Sequence, residues 1–236
     1  MKPERKEEVK MPKQDSAVIQ IPLGRANAFV IRGKHPIVVD TGFMGSTPAI
    51  IDRLTENGIN PKSVSLILIT HGHSDHFGSA ADLKKRTGAP VAIHRLDAEA
   101  ARKGQDPPLN PTGAIGRLFM SLLARRGPAK APPVEPDILI EGEMDLKKFG
   151  IDGKVIHTPG HTPGSVSVIL SGGEVIVGDT IMRGIIRSWQ PNYPLFADNM
   201  AQLNESIQLI LRRKPAKIFS GHGGPFAPKA VQRRFS

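Results

Sequence analysis

Residues His71-Gly72-His73-Ser74-Asp75-His76 constrain the fold of this chain more than any other stretch. Three imidazoles and a carboxylate fall within six residues, after an apolar run from Val64 to Ile69 and just before a helix-like segment that begins at Ser79. Such a density of coordinating side chains has no packing use, and burying them without partners would cost several kcal/mol. A buried strand that ends in a burst of ligands instead fixes a metal site on a rigid edge. In extended geometry residues two apart face the same way, so His71 and His73 can reach one ion while Asp75 and His76 reach a second. A zinc site wants about four ligands, so the cluster cannot close either site and further ligands are expected later in the chain.

The rest of the sequence reads as alternating strands and helices. Residues 16–21, 26–32 and 36–40 have strand character and are parted by Pro22-Leu23-Gly24 and Gly33-Lys34-His35, which predicts an antiparallel meander. A helix capped by Thr47, with Pro48 at its first position, is predicted to stop at Asn57-Gly58. Residues 64–70 are nearly all apolar and predict a strand covered on both faces. Further helices are expected over 79–87, from a cap at Asp97 to about 103, and from a cap at Asp198 to about 213. Further strands are expected over 90–94, 155–158, 166–170, 174–178 and 217–220. Residues 104–136 stand apart, Pro-rich at both ends, with Ile115, Leu118, Phe119, Leu122 and Leu123 at helical spacing between. The expected organisation is a flexible tail over 1–14 and a single domain over 15–236 with a helical insert at about 104–136.

The 236 residues, 39% hydrophobic and 23% charged, suit one sizeable domain with an ample core. No apolar run approaches the roughly 20 residues that span a bilayer. Residues 1–13 carry both charge signs with no apolar stretch behind them, unlike a secretory signal, so a cytoplasmic location is the expectation. The absence of cysteine excludes disulfides, thiolate metal sites and Cys nucleophiles, and leaves His, Asp and Glu to hold any metal. The net charge of +10 comes from scattered basic residues, not from a tract interleaved with aromatics such as a single-strand binder uses. Nucleic acid is therefore disfavoured as a partner against a small, anionic-tolerant substrate, and a homodimer stays open.

Three later polar turns each follow an apolar strand-like run. His161 lies in Thr158-Pro159-Gly160-His161-Thr162-Pro163-Gly164, where glycine allows close approach and proline stiffens the turn. Asp179 lies in Val177-Gly178-Asp179-Thr180, and its two oxygens can bridge two cations. His222 lies in Gly221-His222-Gly223-Gly224. Layered α/β folds build their sites at strand ends, so these turns and the cluster are expected to converge on one edge. His35, His94 and His157 are read as structural.

On these residues the chain resembles the metallo-β-lactamase superfamily of hydrolases. The resemblance rests on Asp40-Thr41-Gly42, the 71–76 cluster, His161, Asp179 and His222, in that order, and runs from about 18 to 225. It implies an α/β fold, an αββα four-layer sandwich of two mixed β-sheets with helices outside. It implies one metal held by His71, His73 and His161, a second held by Asp75, His76 and His222, and Asp179 between them. Asp40 would sit behind, orienting a ligand or the cluster's loop. The implied cofactors are two divalent ions, zinc first, with iron or manganese suiting the same ligands. Two ions about 3.5–4 Å apart bring a shared water's pKa to near 7. The implied reaction is therefore cleavage of a small ester, thioester or lactone by a metal-bridging hydroxide, with Asp75 holding and passing on its proton.

The pattern is nearest to glyoxalase II and lactonase-like single-domain members. The acyl-homoserine lactonases carry a Tyr three residues after the bridging Asp, where this chain has Met182. Glyoxalase II enzymes share the Gly-His-Thr-Pro-Gly and Gly-Asp-Thr patterns but add a glutathione-binding helical domain. The diiron flavoproteins place a Glu where His73 stands. Met182, Trp189, Tyr193 and Phe119 are the expected pocket residues. The 104–136 insert is either a packing element, a dimer contact or a lid that brings Arg117 or Arg126 to an anion. Two alternatives stay open: a phosphodiesterase or nuclease of the same fold, which the charge favours, and a mononuclear iron dioxygenase of the same fold using His71, His161 and Asp179.

Overall fold

The computed structural model describes residues 17–123, 130–185 and 187–236, so the expected tail and Arg126 lie outside the described residues. Period-2 burial organises the first sheet. Its strands are β1 (Val18–Leu23), β2 (Ala26–Ile31), β3 (Ile37–Val39), β4 (Leu66–Leu68), β5 (Val91–His94) and β6 (Ile138–Ile140), side by side in sequence order. In β2, Ala28 and Val30 face one apolar layer while Phe29 and Ile31 face another; around β4, Ile67 and Ile69 oppose Leu66 and Leu68 in the same way. Both faces of the sheet must therefore be covered. β1, β2 and β3 form the expected antiparallel meander, and β3 to β6 are parallel.

Parallel neighbours need crossovers, and helices supply them. α1 (Thr47–Glu56) joins β3 to β4. α2 (Ser74–Phe77) and α3 (Ala80–Thr87) join β4 to β5, and α4 (Ala98–Lys103) and α5 (Gly113–Leu123) precede β6. Ile50 and Leu54 of α1, Leu83 of α3 and Ala98 of α4 cover the outer face. The second sheet holds β7 (Met144–Asp145), β8 (Gly153–His157), β9 (Val166–Leu170), β10 (Glu174–Ile176) and β13 (Lys217–Phe219) in the order β13-β10-β9-β8-β7. Its inner face brings Val155, Val168 and Phe219 against Phe29, Leu66 and Leu68 of the first sheet. Its outer face carries Val175 and Ile218 against α6 (Met200–Arg212) and α7 (Pro228–Phe235). The four layers are helix, sheet, sheet and helix, as expected.

Strand direction gathers the site. β3 and β4 are parallel, β10 and β13 are parallel, and β8 is two antiparallel steps from β10, so it runs the same way as β10. The turns after β3 and β4, and those after β8, β10 and β13, thus emerge together within each sheet. Between β10 and β13 the chain also forms a short hairpin of β11 (Met182–Arg183) and β12 (Pro191–Asn192).

Two expected caps differ. Thr47 is the first residue of α1, behind Ser46. α6 is capped by Asn199, whose extended backbone lets Oδ1 accept from the N–H groups of Ala201 and Gln202 at 3.0 and 3.1 Å. Asp198 instead accepts from Asn110 Nδ2 at 2.7 Å, tying α6 to the insert. Asp97 stands at the N-cap of α4, as expected, but makes no cap bond there, because its carboxylate is engaged elsewhere.

Candidate metal centre

At the end of β3 the backbone of Asp40 adopts a φ of 58°, a left-handed conformation that Asp tolerates better than most residues. The buried carboxylate does not close a local turn. Oδ1 accepts from Thr70 N and Oδ2 from Thr70 Oγ1, each at 2.8 Å, and His76 Nδ1 donates to Oδ2 at 2.8 Å. Thr70 Oγ1 has given its proton to Asp40, so it accepts from His71 Nδ1 at 3.0 Å. His161 Nδ1 donates to Phe196 O and His222 Nδ1 to Arg25 O, both at 2.7 Å. Four imidazoles are thus held by Nδ1 and turn Nε2 inward, the arrangement by which outer hydrogen bonds fix ligand tautomers.

The inward atoms converge. His73 Nδ1 lies 3.0 Å from His161 Nε2, and His76 Nε2 lies 3.4 Å from His222 Nε2. Asp75 Oδ2 is 3.2 Å from His222 Nε2. Asp179 stands between the groups: its Oδ1 is 3.4 Å from His76 Nε2, and its Oδ2 is 3.2 Å from His222 Nε2 and 3.8 Å from His161 Nε2. Three sets offer donor atoms within 4.8 Å of one another: His71, His73 and His161; His71, His76 and Asp179; and Asp75, His76 and His222. His71 Nε2 and Asp179 Oδ1 are buried with no hydrogen-bond partner. A buried polar atom left this way costs about 1–3 kcal/mol, unless a ligand satisfies it. Nitrogen and carboxylate donors at this spacing suit a divalent ion, so the residues fit the group the sequence implied.

Electrostatics divides the cluster in two. Burial pushes His71 well down, with His76 and His161 adding to it; burial and then His161 take His73 to about 3; burial also lowers His161. Burial thus favours the neutral form in all three, the form that ligates metals. Burial acts the same way on His76 and His222, but Asp179 and Asp75 outweigh it, raising His76 well above its ordinary value and His222 to about 10. Burial would raise Asp75 and Asp179, yet His76 and His222 hold both below the usual carboxylate range. The positive charge on this side is one that a divalent ion can supply in place of protons.

Two carboxylates that sequence reasoning missed brace the ligand turns. Asp97, read as a helix cap, accepts from Gly72 N at 2.8 Å, Thr162 Oγ1 at 2.6 Å and Gly164 N at 2.8 Å. It locks the 71–76 turn to the His161 turn. Asp106 accepts from Ser74 N at 2.5 Å and Ser74 Oγ at 3.1 Å, at the start of α2. His94 and His157, read as structural, stack with ring centroids 4.2 Å apart.

A cavity of about 1760 Å³ opens over the cluster. Of the residues expected at the pocket, Met182, Tyr193 and Phe119 line this cavity, and Trp189, 72% exposed, does not. Of the two arginines suggested for the insert, Arg117 is not among the lining residues and Arg126 is outside the described ones. The cavity's arginines are Arg25, Arg183, Arg187 and Arg234. The insert does reach the site. Thr112 N donates to Leu195 O at 2.7 Å, Ala197 N to Asn110 O at 2.9 Å, and Phe119 lies 6.2 Å from Phe196, whose carbonyl holds His161.

Residues 21–222 match the family model of the metallo-beta-lactamase superfamily, and the chain belongs to that superfamily. A probable metallo-hydrolase of Methanocaldococcus jannaschii is 31% identical over 202 residues, covering 84% of this chain and 87% of that protein. The probable metallo-hydrolase YqgX of Bacillus subtilis is 28% identical over 210 residues, covering 86% and 89%. Among solved structures, BLEG-1 B3 metallo-beta-lactamase aligns with a TM-score of 0.67 at 27% identity over 92% of this chain and 97% of that one. TTHA1623 in a di-iron-bound form aligns with a TM-score of 0.65 at 25% identity over 92% and 96%.

Proposed function

We propose that this protein is a metal-dependent hydrolase that cleaves an ester, thioester or lactone bond at a two-ion site. The observation that carries the reading is the pair of facing donor sets with Asp179 between them and two buried atoms, His71 Nε2 and Asp179 Oδ1, otherwise unsatisfied. His71, His73 and His161 would hold one ion, Asp75, His76 and His222 the other, and Asp179 would bridge them. Zinc is the first expectation, with iron or manganese served by the same donors. The di-iron form of a similar protein supports the two-ion reading, and the relatives named probable metallo-hydrolases support hydrolysis.

Held by these residues, divalent ions would supply the Lewis acidity that makes water nucleophilic at neutral pH. The chain's own residues do the rest. Asp75 is the most open of the candidate ligands, its side chain 22% exposed and lining the cavity, so it takes the proton of the attacking water and returns it to the leaving atom. Asp40 and Thr70 keep His76 and His71 in place while this happens. An acyl bond is favoured over a phosphodiester because the cavity has an apolar wall in Ile115, Phe119 and Leu195, where an open nucleic-acid groove would be basic throughout. A panel of esters, thioesters and lactones, assayed with metal-reconstituted protein, tests this. His71→Ala and Asp179→Ala should each abolish turnover of every substrate the wild type cleaves. Activity that survives either change refutes the mechanism.

A further inference from the structure

The cavity is lined by apolar and basic residues, and some of each adjoin different ligands of the metal centre. On the His161 side stand Phe196, whose carbonyl binds His161 Nδ1, then Phe119 against it, then Ile115, Met120 and Leu195. On the His222 side stand Arg25 and Arg183. Arg25 O accepts from His222 Nδ1 at 2.7 Å, and Arg183 N donates to His222 O at 2.9 Å, so both residues adjoin this ligand directly. Arg187 and Arg234 line the same cavity; Arg234 is held by Asn192 Oδ1 at 2.6 Å and lies over the Tyr193 ring at 5.4 Å. None of the four guanidinium groups has a carboxylate partner among the described residues. Elsewhere on this surface arginines do find partners, as Arg53 does with Glu56 and Arg102 with Glu135. The volume of about 1760 Å³ also exceeds the roughly 300–1,000 Å³ of sites for small ligands.

We infer that the substrate is an anionic amphiphile: an acyl ester or thioester whose acyl chain lies along α5 and Leu195, and whose leaving group carries a phosphate or carboxylate bound by Arg25 and Arg183. The inference rests on the hydrolase reading above and names its substrate class. In the reaction, the water oxygen bonds to the acyl carbon and the bond to sulfur or oxygen breaks. The leaving atom keeps the electron pair and takes a proton, giving a fatty carboxylate and an anionic thiol or alcohol. Arg25 and Arg183 hold the leaving half, while the apolar wall keeps the acyl half dry.

The test uses three octanoyl thioesters, of 3-mercaptopropyl phosphate, 3-mercaptopropanoate and 3-mercaptopropanol. At low ionic strength at least one anionic thioester should exceed the neutral one in kcat/KM by about tenfold, the value of a charge-assisted contact. The double change Arg25→Gln with Arg183→Gln should collapse that ratio to near one, and Arg53→Gln should leave it intact. An acetyl in place of the octanoyl group should lower kcat/KM by at least about tenfold. A neutral thioester cleaved as well as both anionic ones, or a ratio that survives the double change, overturns the inference. If no thioester is cleaved, the hydrolase reading fails instead, and calorimetry with octyl phosphate still decides this one. Binding by the wild type that is lost in the double variant supports it, and binding that is absent or unchanged refutes it.

Discussion

Asp97 shows how a residue behind the donor turns can govern them. It is buried, accepts three hydrogen bonds, and joins the turn of His71 and His73 to the turn of His161. Asp97→Ala would strand three donors at about 1–3 kcal/mol each, less whatever water recovers. Unfolding in urea should report a loss of about 3 kcal/mol or more, and titration against a chelator should report metal affinity lower by about 10–100-fold. An unchanged affinity would mean the two turns hold their places without it. Gly221 is constrained differently: a Cβ there would run into Asp179 Oδ1 and His76 Cε1. Gly221→Ala should therefore fold yet bind fewer ions per chain than the wild type, as measured by elemental analysis. The clustering of these His and Asp donors was legible in the sequence because their types and turn settings are local. Asp97 was not, because Thr162 and Gly164 lie more than sixty residues away and an Asp ahead of Ala98-Glu99 looks like a cap.

At the scale of elements, direction matters more than sequence adjacency. The run before the cluster announced a strand covered on both faces, and β4 is one. The order of the second sheet was not legible, since pairing β10 beside β13 depends on α6 crossing between them. Nor was the hairpin of β11 and β12, whose two-residue strands leave no periodic signal. α5 was legible as a helix from its apolar stripe, but its docking was not. Gly116 presses on the 195 carbonyl so closely that a Cβ would sit 2.5 Å from it. Gly116→Val should lift α5 from Leu195 and raise KM several-fold for long acyl substrates without changing the metal content. Identical kinetics on short and long chains would reduce α5 to packing.

For the whole molecule, convergence is the main consequence of folding. Arg25, the Arg183 and Arg187 stretch and Arg234 come from three widely spaced segments, which is why the sequence pointed to arginines of the insert instead. pH offers a global check. Burial, then the His157 ring and Arg95, lowers His94 to about 4. The unfolded chain protonates this residue first, so the stability its neutral form contributes is full above about pH 6.5 and is lost as pH falls towards 4. His94→Gln should shrink the fall in unfolding free energy between pH 7 and pH 4. An equal fall in both proteins would show that His94 takes up no proton on unfolding. No helix among the described residues is long and apolar enough to cross a membrane.

The most direct test of a two-ion hydrolase is a titration of chelator-treated protein with zinc, following the hydrolysis rate of a thioester that the reconstituted enzyme cleaves. The two donor sets around Asp179 predict a rate that climbs to a plateau at two equivalents of zinc per chain. A plateau at one equivalent, or hydrolysis that persists with no metal added, would contradict the account.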